Sequence, residues 1–255
     1  MITPMEDFRR LVEQAKLEIK EYSIWHLPTE TPASRTELPM QVSPGAWSGV
    51  LIEDEIQIHF GDYATPSTAL LLTALDSSSV HDGQITLVGQ DIPRLSASVI
   101  PFALAVVVWG SDLTPDRINE LRRALQVTDQ IEGFMQRSTL QEIRFNLSKI
   151  LYEKGLSFRH LGQAFLQLYR TQFQGVVQAV EVVFLTASPR TILALKELTR
   201  TIHNDMAMSW RTKLAQYTKL RDDCEFEWEC TECEYQHICE ELRDIIKLRK
   251  DLFRD

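Results

Sequence analysis

No stretch of this 255-residue chain approaches the roughly 18 consecutive apolar residues of a membrane-spanning helix. The longest apolar run, Ile100 to Trp109, has the length of a strand. The ten glycines are dispersed, so no glycine-rich loop is present to cradle a phosphate. There is no Gly-x-Ser-x-Gly, and Ser77-Ser78-Ser79 precedes a turn instead of forming a nucleophile elbow. Positive charge is in deficit: 27 Lys and Arg stand against 36 Asp and Glu, a net charge of −9. Such a balance disfavours binding along a phosphate backbone, so no nucleic-acid partner is expected. His59, His81, His160 and His203 are scattered without metal-ligand spacing, and no internal repeat or low-complexity tract is present. The N-terminal MITPMEDFRRLVEQAKLEIK is charged and amphipathic, unlike a signal peptide. A cytoplasmic protein without membrane contact is expected.

Cysteine is scarce but concentrated. All four thiols fall between residues 224 and 239, as Cys224-x5-Cys230-x2-Cys233-x5-Cys239. Four thiolates are a full set for tetrahedral zinc or for a 4Fe-4S cluster. The Cys-x2-Cys pair sets two sulfurs on one tight turn, and the flanking cysteines close the cage. Two local disulfides or four unrelated buried thiols are the other readings; disulfides need an oxidising compartment, which nothing in the sequence indicates. Around the thiols stand Asp222, Asp223, Glu225, Glu227, Glu229, Glu232, Glu234, Glu240 and Glu241. Near a cluster these acids would stabilise the oxidised form and lower its potential; otherwise they are a solvated loop. Phe226, Trp228, Tyr235 and Ile238 could shield the centre from water, and His237 could replace one thiolate.

Periodicity predicts the elements. Residues 5 to 22 read as a helix, with Phe8, Leu11, Val12, Ala15 and Ile19 at helical spacing. Residues 27 to 46 carry Pro28, Pro32, Pro39 and Pro44 and read as an irregular wrap. Val50 to Phe60 alternates like a half-buried strand, Leu70 to Leu75 is apolar, and the turn His81-Asp82-Gly83-Gln84 leads into a strand at Ile85 to Val88. Ile100 to Trp109 reads as a central strand. Thr114-Pro115-Asp116 is a helix start. Further helices are predicted over Asp129 to Glu153, ending at Gly155, over Leu161 to Phe173, and from Pro189 to about Ala207, with a buried strand at Val176 to Thr186. A last, charged helix is predicted over Glu240 to Asp255, with Arg243, Lys247, Arg249 and Lys250 towards its C-terminus. Trp109 and Trp210 are expected to pack in the core or an interface.

The stretch VHDGQITLVGQDI, Val80 to Ile92, resembles the DGxITVxGPDI signature of the β subunit of CO dehydrogenase/acetyl-CoA synthase. The apolar strand Phe102 to Trp109 follows where that family has one. The segment from Ile131 to Tyr169 is similar to the family's helical middle domain, through Glu132-Gly133, Ser148-Lys149, Lys154-Gly155, Phe158 and Gly162. The strand VEVVFLT and the cysteine segment come next in the same order, so that the resemblance covers roughly residues 60 to 240. It implies an anaerobic setting, a 4Fe-4S cluster and, as partner, another subunit of a CO dehydrogenase/acetyl-CoA synthase-like complex.

The departures narrow that implication. Cys230, Cys233 and Cys239 match the family's first cluster cysteines with a shorter loop, while Cys224 lies upstream and the nickel-binding Cys-Gly-Cys is missing. Met135 stands where the family has a tryptophan implicated in coenzyme A contact, and Leu140 where it has an arginine. Synthesis of acetyl-CoA by this chain alone is therefore not expected. Arg137, Arg144, Lys149, Lys154, Arg159 and Arg170 could gather around an anionic ligand such as a nucleotide or coenzyme A, or could be ordinary exposed helix charges. The run CTECEYQHIC is also similar to the iron-sulfur staple of RecB-like nucleases. Their Glu-x-Lys, however, belongs on a strand, and the clearest one here, Glu18-Ile19-Lys20, falls on a predicted helix.

The expected fold is α/β: a mixed sheet with flanking helices and a C-terminal four-cysteine metal knuckle. Three parts are expected: an N-terminal helix and Pro-rich wrap over 1–46, an α/β domain resembling the acetyl-CoA synthase middle domain over 47–221, and a metal-binding segment with a terminal helix over 222–255. The expected role is accessory or electron-transferring in one-carbon and acetyl-CoA metabolism. The alternative is a binding module for a protein partner, built on structural zinc. A third possibility is a catalytic subunit completed by a partner that brings the missing nickel ligands.

Overall fold

The computed structural model describes residues 3–27, 51–111, 113–126, 131, 133–138, 143–202 and 204. The Pro-rich wrap, the four cysteines and the predicted terminal helix lie outside the described residues. The chain divides into two compact units, Met1–Thr199 and Arg200–Asp255.

The first helix, α1 (Pro4–Ile19), begins with a reciprocal cap. The Glu6 N–H donates to Thr3 Oγ1 and the Thr3 N–H to the Glu6 carboxylate at 2.7 Å. It buries Phe8, Val12 and Ala15. The predicted helix ran to residue 22, but Lys20 adopts a left-handed φ of 55° and ends it. Tyr22–His26 forms strand β1 instead.

Two mixed sheets follow. The larger joins β1, β3 (Ser67–Thr73), β4 (Gln84–Val88), β6 (Phe102–Trp109) and β9 (Ala179–Leu185) in the order β1-β4-β9-β6-β3. The β4–β9 and β3–β6 pairs are parallel, whereas β1–β4 and β6–β9 are antiparallel. The continuous apolar runs are the interior strands, as burial on both faces requires; β9 takes the middle place and β6 lies beside it. The smaller sheet joins β2 (Ile56–Phe60), β5 (Val99–Ile100), β7 (Phe134–Ser138) and β8 (Ile143–Ser148) in the order β5-β2-β8-β7. Of the alternating stretch predicted to be strand from Val50 to Phe60, the described part from Leu51 is strand at Ile56–Phe60 alone, and the acidic Glu53–Glu55 forms a 3-10 turn.

The largest correction concerns residues 129–153. The expected long helix, and with it the helical reading of the middle segment, gives way to β7, β8 and the short helix α3 (Lys149–Glu153). Ile143, Leu147, Ile150 and Leu151 fit helical spacing, but Ile143, Phe145 and Leu147 also alternate with Arg144, Asn146 and Ser148. Strand pairing with β2 and the burial of Phe145 and Leu147 decide between the two periods. Gly155 does follow α3 with φ 74°, in the left-handed conformation expected just past a helix end.

Helices cover the larger sheet. In α2 (Pro115–Gln126), the Arg117 and Ile118 N–H groups donate to Thr114, as the Thr-Pro start predicts. The next helix, α4 (Phe158–Gln172), packs on β9 and β4. A fifth helix, α5, runs over 189–202. Gly162 of α4 allows close approach to β4: a Cβ there would stand 2.5 Å from Ile85 Cγ2. Phenylalanines join the layers. Phe102 of β6 lies 4.7 Å from Phe60 of β2 and 5.8 Å from Phe158 of α4, which lies 4.9 Å from Phe184 of β9. Aromatic pairs of this kind are worth about 0.5–1.5 kcal/mol each beyond the area they bury. Among the described residues no helix is long and apolar enough to cross a membrane.

Candidate functional site

The signature stretch Val80 to Ile92 is a set of structural pins. Asp82 Oδ1 accepts the Val180 N–H and an Arg170 N–H, both at 2.9 Å, tying the turn to β9 and α4. Gly83 has φ 73°, and a Cβ there would meet the Leu27 carbonyl oxygen at 2.4 Å. Asp91 Oδ1 accepts the N–H of Ile92 and, at 2.7 Å, the N–H of Phe158 at the start of α4. Ser157 and His160 complete that helix start: the Ser157 N–H donates to His160 Nδ1, which makes Nδ1 an acceptor. Burial lowers the His160 pKa, Arg159 lowers it further, and Asp91 opposes them.

Among the described residues the most buried charge is Glu181, in the middle strand at 1% exposure. Arg9 of α1 grips both its oxygens at 2.6 and 2.7 Å and also donates to the Ser79 carbonyl. The His81 N–H donates to Glu181 Oε2 at 3.1 Å, and His81 Nδ1 lies 3.3 Å from the same oxygen. The sequence reading missed this cluster. Its signal was a lone glutamate inside the apolar run AVEVVFL, which demands a buried partner.

One face of the smaller sheet is polar. Met135, Asn146 and His59 are register partners across β7, β8 and β2. His59 Nδ1 lies 3.2 Å from Asn146 Oδ1, and its Nε2 lies 3.1 Å from a Glu53 carboxylate oxygen. Two residues along, Arg137 and Arg144 are register partners. The Arg144 guanidinium sits 4.3 Å from the centre of the exposed Tyr63 ring. Next to Tyr63, Asp62 has its pKa lowered by the backbone N–H groups of Thr65 and Ala64, with Arg144 adding to the effect.

Those basic residues singled out from sequence whose side chains are described do not converge. Arg170 is held by Asp82, Lys149 donates to the Asp54 carbonyl, and Lys154 and Arg159 are exposed. Arg137 and Arg144 are backbone register partners across β7 and β8. Cys224, Cys230, Cys233 and Cys239 lie outside the described residues, as does Leu140. Among the described residues no group of three or more His, Cys, Asp or Glu could hold a metal ion.

Residues 38–190, more than half of the chain, match the family model for the CO dehydrogenase/acetyl-CoA synthase complex beta subunit. The chain belongs to that family. It is 29% identical over 157 residues to the acetyl-CoA decarbonylase/synthase complex subunit beta of Methanopyrus kandleri, covering 60% of this chain and 33% of that protein. It is 24% identical over 229 residues to the subunit of the same name from Archaeoglobus fulgidus, covering 88% of this chain and 41% of that one. It is also 23% identical over 154 residues to the carbon monoxide dehydrogenase/acetyl-CoA synthase subunit alpha of Moorella thermoacetica, covering 60% of this chain and 21% of that protein. The chain thus spans between a fifth and two fifths of these relatives' length. The family match contains the Asp82–Asp91 pins, the polar sheet face and Glu181. Arg9 precedes it, and the four cysteines follow it.

Proposed function

We propose that this chain is an iron-sulfur protein of the CO dehydrogenase/acetyl-CoA synthase β-subunit type. Its role is accessory or electron-transferring, beside another subunit of such a complex, in anaerobic one-carbon and acetyl-CoA metabolism. It does not make acetyl-CoA on its own. The family match over residues 38–190 carries this reading, and the relatives' names as complex subunits support a protein partner. The donor set fits the group the family implies. Cys224, Cys230, Cys233 and Cys239 supply the four thiolates of one cubane within sixteen residues, with Glu232 and its acidic neighbours around them. A nickel pair in addition would need more thiolates than these four. Bound there, a 4Fe-4S cluster supplies one-electron transfer.

Anaerobic purification followed by a visible absorption spectrum and metal analysis tests the reading. A brown protein with about four irons per chain, which Cys230→Ser loses, is the expected result. A colourless protein with about one zinc would overturn electron transfer and leave a structural-zinc module for a protein partner. In the redox reading, Glu232→Gln raises the reduction potential with stability nearly intact. Assaying acetyl-CoA synthesis with and without the partner subunit tests the third possibility, a catalytic site completed in trans.

A further inference from the structure

The strand β1 closes one end of the larger sheet, and its outer edge is bare. The Leu27 N–H donates to the Gly83 carbonyl and the Gly89 N–H to the Glu21 carbonyl, so the odd-numbered residues of this stretch turn their backbone groups towards β4. The N–H and C=O groups of Tyr22, Ile24 and His26 therefore point away from the sheet, and among the described residues no strand pairs with them. Their side chains share one face, where Tyr22 is 53% exposed, Ile24 41%, and His26 is exposed as well. Lys16 Nζ sits 5.7 Å from the centre of the Tyr22 ring and steadies that side chain. Sheet edges are usually blunted by proline, lysine, a bulge or an inward charge. The sequence YSIWH has none of these residues, and its pairing with β4 runs without a shift of register. The strand at the other end of the same sheet, β3, has α2 and β8 packed against it.

What fits such an edge is another strand, and β1 fits itself. A two-fold axis through Ile24 sets Ile24 opposite its own copy and Tyr22 opposite His26, with each outward donor facing an outward acceptor. No Asp, Glu, Lys or Arg stands in the strand, so no like charges meet. Two isoleucines then meet at the axis, flanked on each side by a tyrosine packed on an imidazole, which are cross-strand pairs of the stabilising kind. Only an axis through Ile24 pairs all three outward residues. An axis through Tyr22 would need Lys20 to continue the strand, and its φ of 55° forbids that. An axis through His26 would set Ile24 against Pro28, which has no N–H to give. We propose that β1 is a homodimerisation edge, at which two copies of this chain join antiparallel about Ile24 and merge their larger sheets into one. Five residues a side cover less than the roughly 800 Å² per partner of a standard interface. Each copy also carries a net charge of −9. The dimer is therefore transient, with a Kd on the order of 10 μM.

Sedimentation velocity of the full chain, from about 1 μM to about 300 μM, tests the proposal. The native chain passes from monomer to dimer across that range. Ile24→Lys sets two like charges opposite each other at the axis and raises the Kd about tenfold or more. Leu75→Lys, at a position 93% exposed and outside β1, leaves the Kd unchanged. Cysteine pairing reads the register. Ile24→Cys links to its own copy, whereas Tyr22→Cys and His26→Cys stay unlinked alone and link when mixed. The bridged peptides are identified by mass spectrometry, so that the native cysteines do not count. This second readout keeps the test decisive if Ile24→Lys does not fold. A native chain that stays monomeric throughout would overturn the proposal and leave the edge to a different chain. So would a dimer that Ile24→Lys forms equally well, or one in which Ile24→Cys does not link to itself.

Discussion

Replacing Arg9 by methionine isolates the most consequential polar contact in the fold. The substitution removes three hydrogen bonds, two to the Glu181 carboxylate and one to the Ser79 carbonyl. It leaves a carboxylate at 1% exposure with, among the described residues, His81 alone as a partner. Breaking one side of a buried pair costs about 3–5 kcal/mol, because the remaining charge stays desolvated. Arg9 keeps 27% of its side chain in solvent, so water can partly replace it, and the expected loss is at the lower end, about 3 kcal/mol. For a unit of this size that lowers Tm by about 6–12 °C. Urea unfolding followed by tryptophan fluorescence, with Tm from circular dichroism, measures both. Arg9→Lys falls between, keeping the charge and losing the two-pronged grip. Combining Arg9→Met with Glu181→Leu recovers most of the loss, since no buried charge remains. A loss below about 1 kcal/mol for Arg9→Met, or a double variant no better than the single one, would refute the argument that Glu181 is buried only because Arg9 holds it.

Two further outcomes follow from the signature stretch. Asp91→Ala removes the acceptor for the Phe158 N–H at the start of α4 and is expected to cost about 1–2 kcal/mol, read as a lower urea midpoint at unchanged m-value. His160 has its pKa lowered in the fold by burial, so the native state binds its proton less readily than the unfolded chain does. Its contribution to stability is full above about pH 6.5 and is lost as pH falls through the lower folded value. His160→Glu keeps the reciprocal cap with Ser157 and should flatten stability against pH just below 6.5; an unchanged profile in that window would exclude His160 as its source.

Residues with local instructions were legible in the sequence. Thr114 with Pro115, and Gly155, mark helix ends through hydrogen bonds or backbone angles within a few residues, and the structure places them as such. The apolar runs at 102–109 and 179–185 could only be buried strands or buried helices, and their valines favour strands. The stretch 143–151 carried two periods at once, and nothing local chose between them; pairing of Phe60 with Phe145 across β2 and β8 did. The signature around Asp82 and Asp91 was recognisable, but its work as a set of pins was not, because its acceptors meet donors at Phe158, Arg170 and Val180.

The sequence by itself therefore determined the alternation of helices and strands, the helix caps, the family signature and the gathering of every thiol into one short segment. Each of these depends on neighbours along the chain. Tertiary structure decided the rest: two sheets in place of one, strands where a helix was expected, and the pairing of Glu181 with an arginine 172 residues away. The physical reason is the same in each case. A buried charge or an ambiguous period takes its meaning from the groups packed against it, and those come from distant parts of the chain.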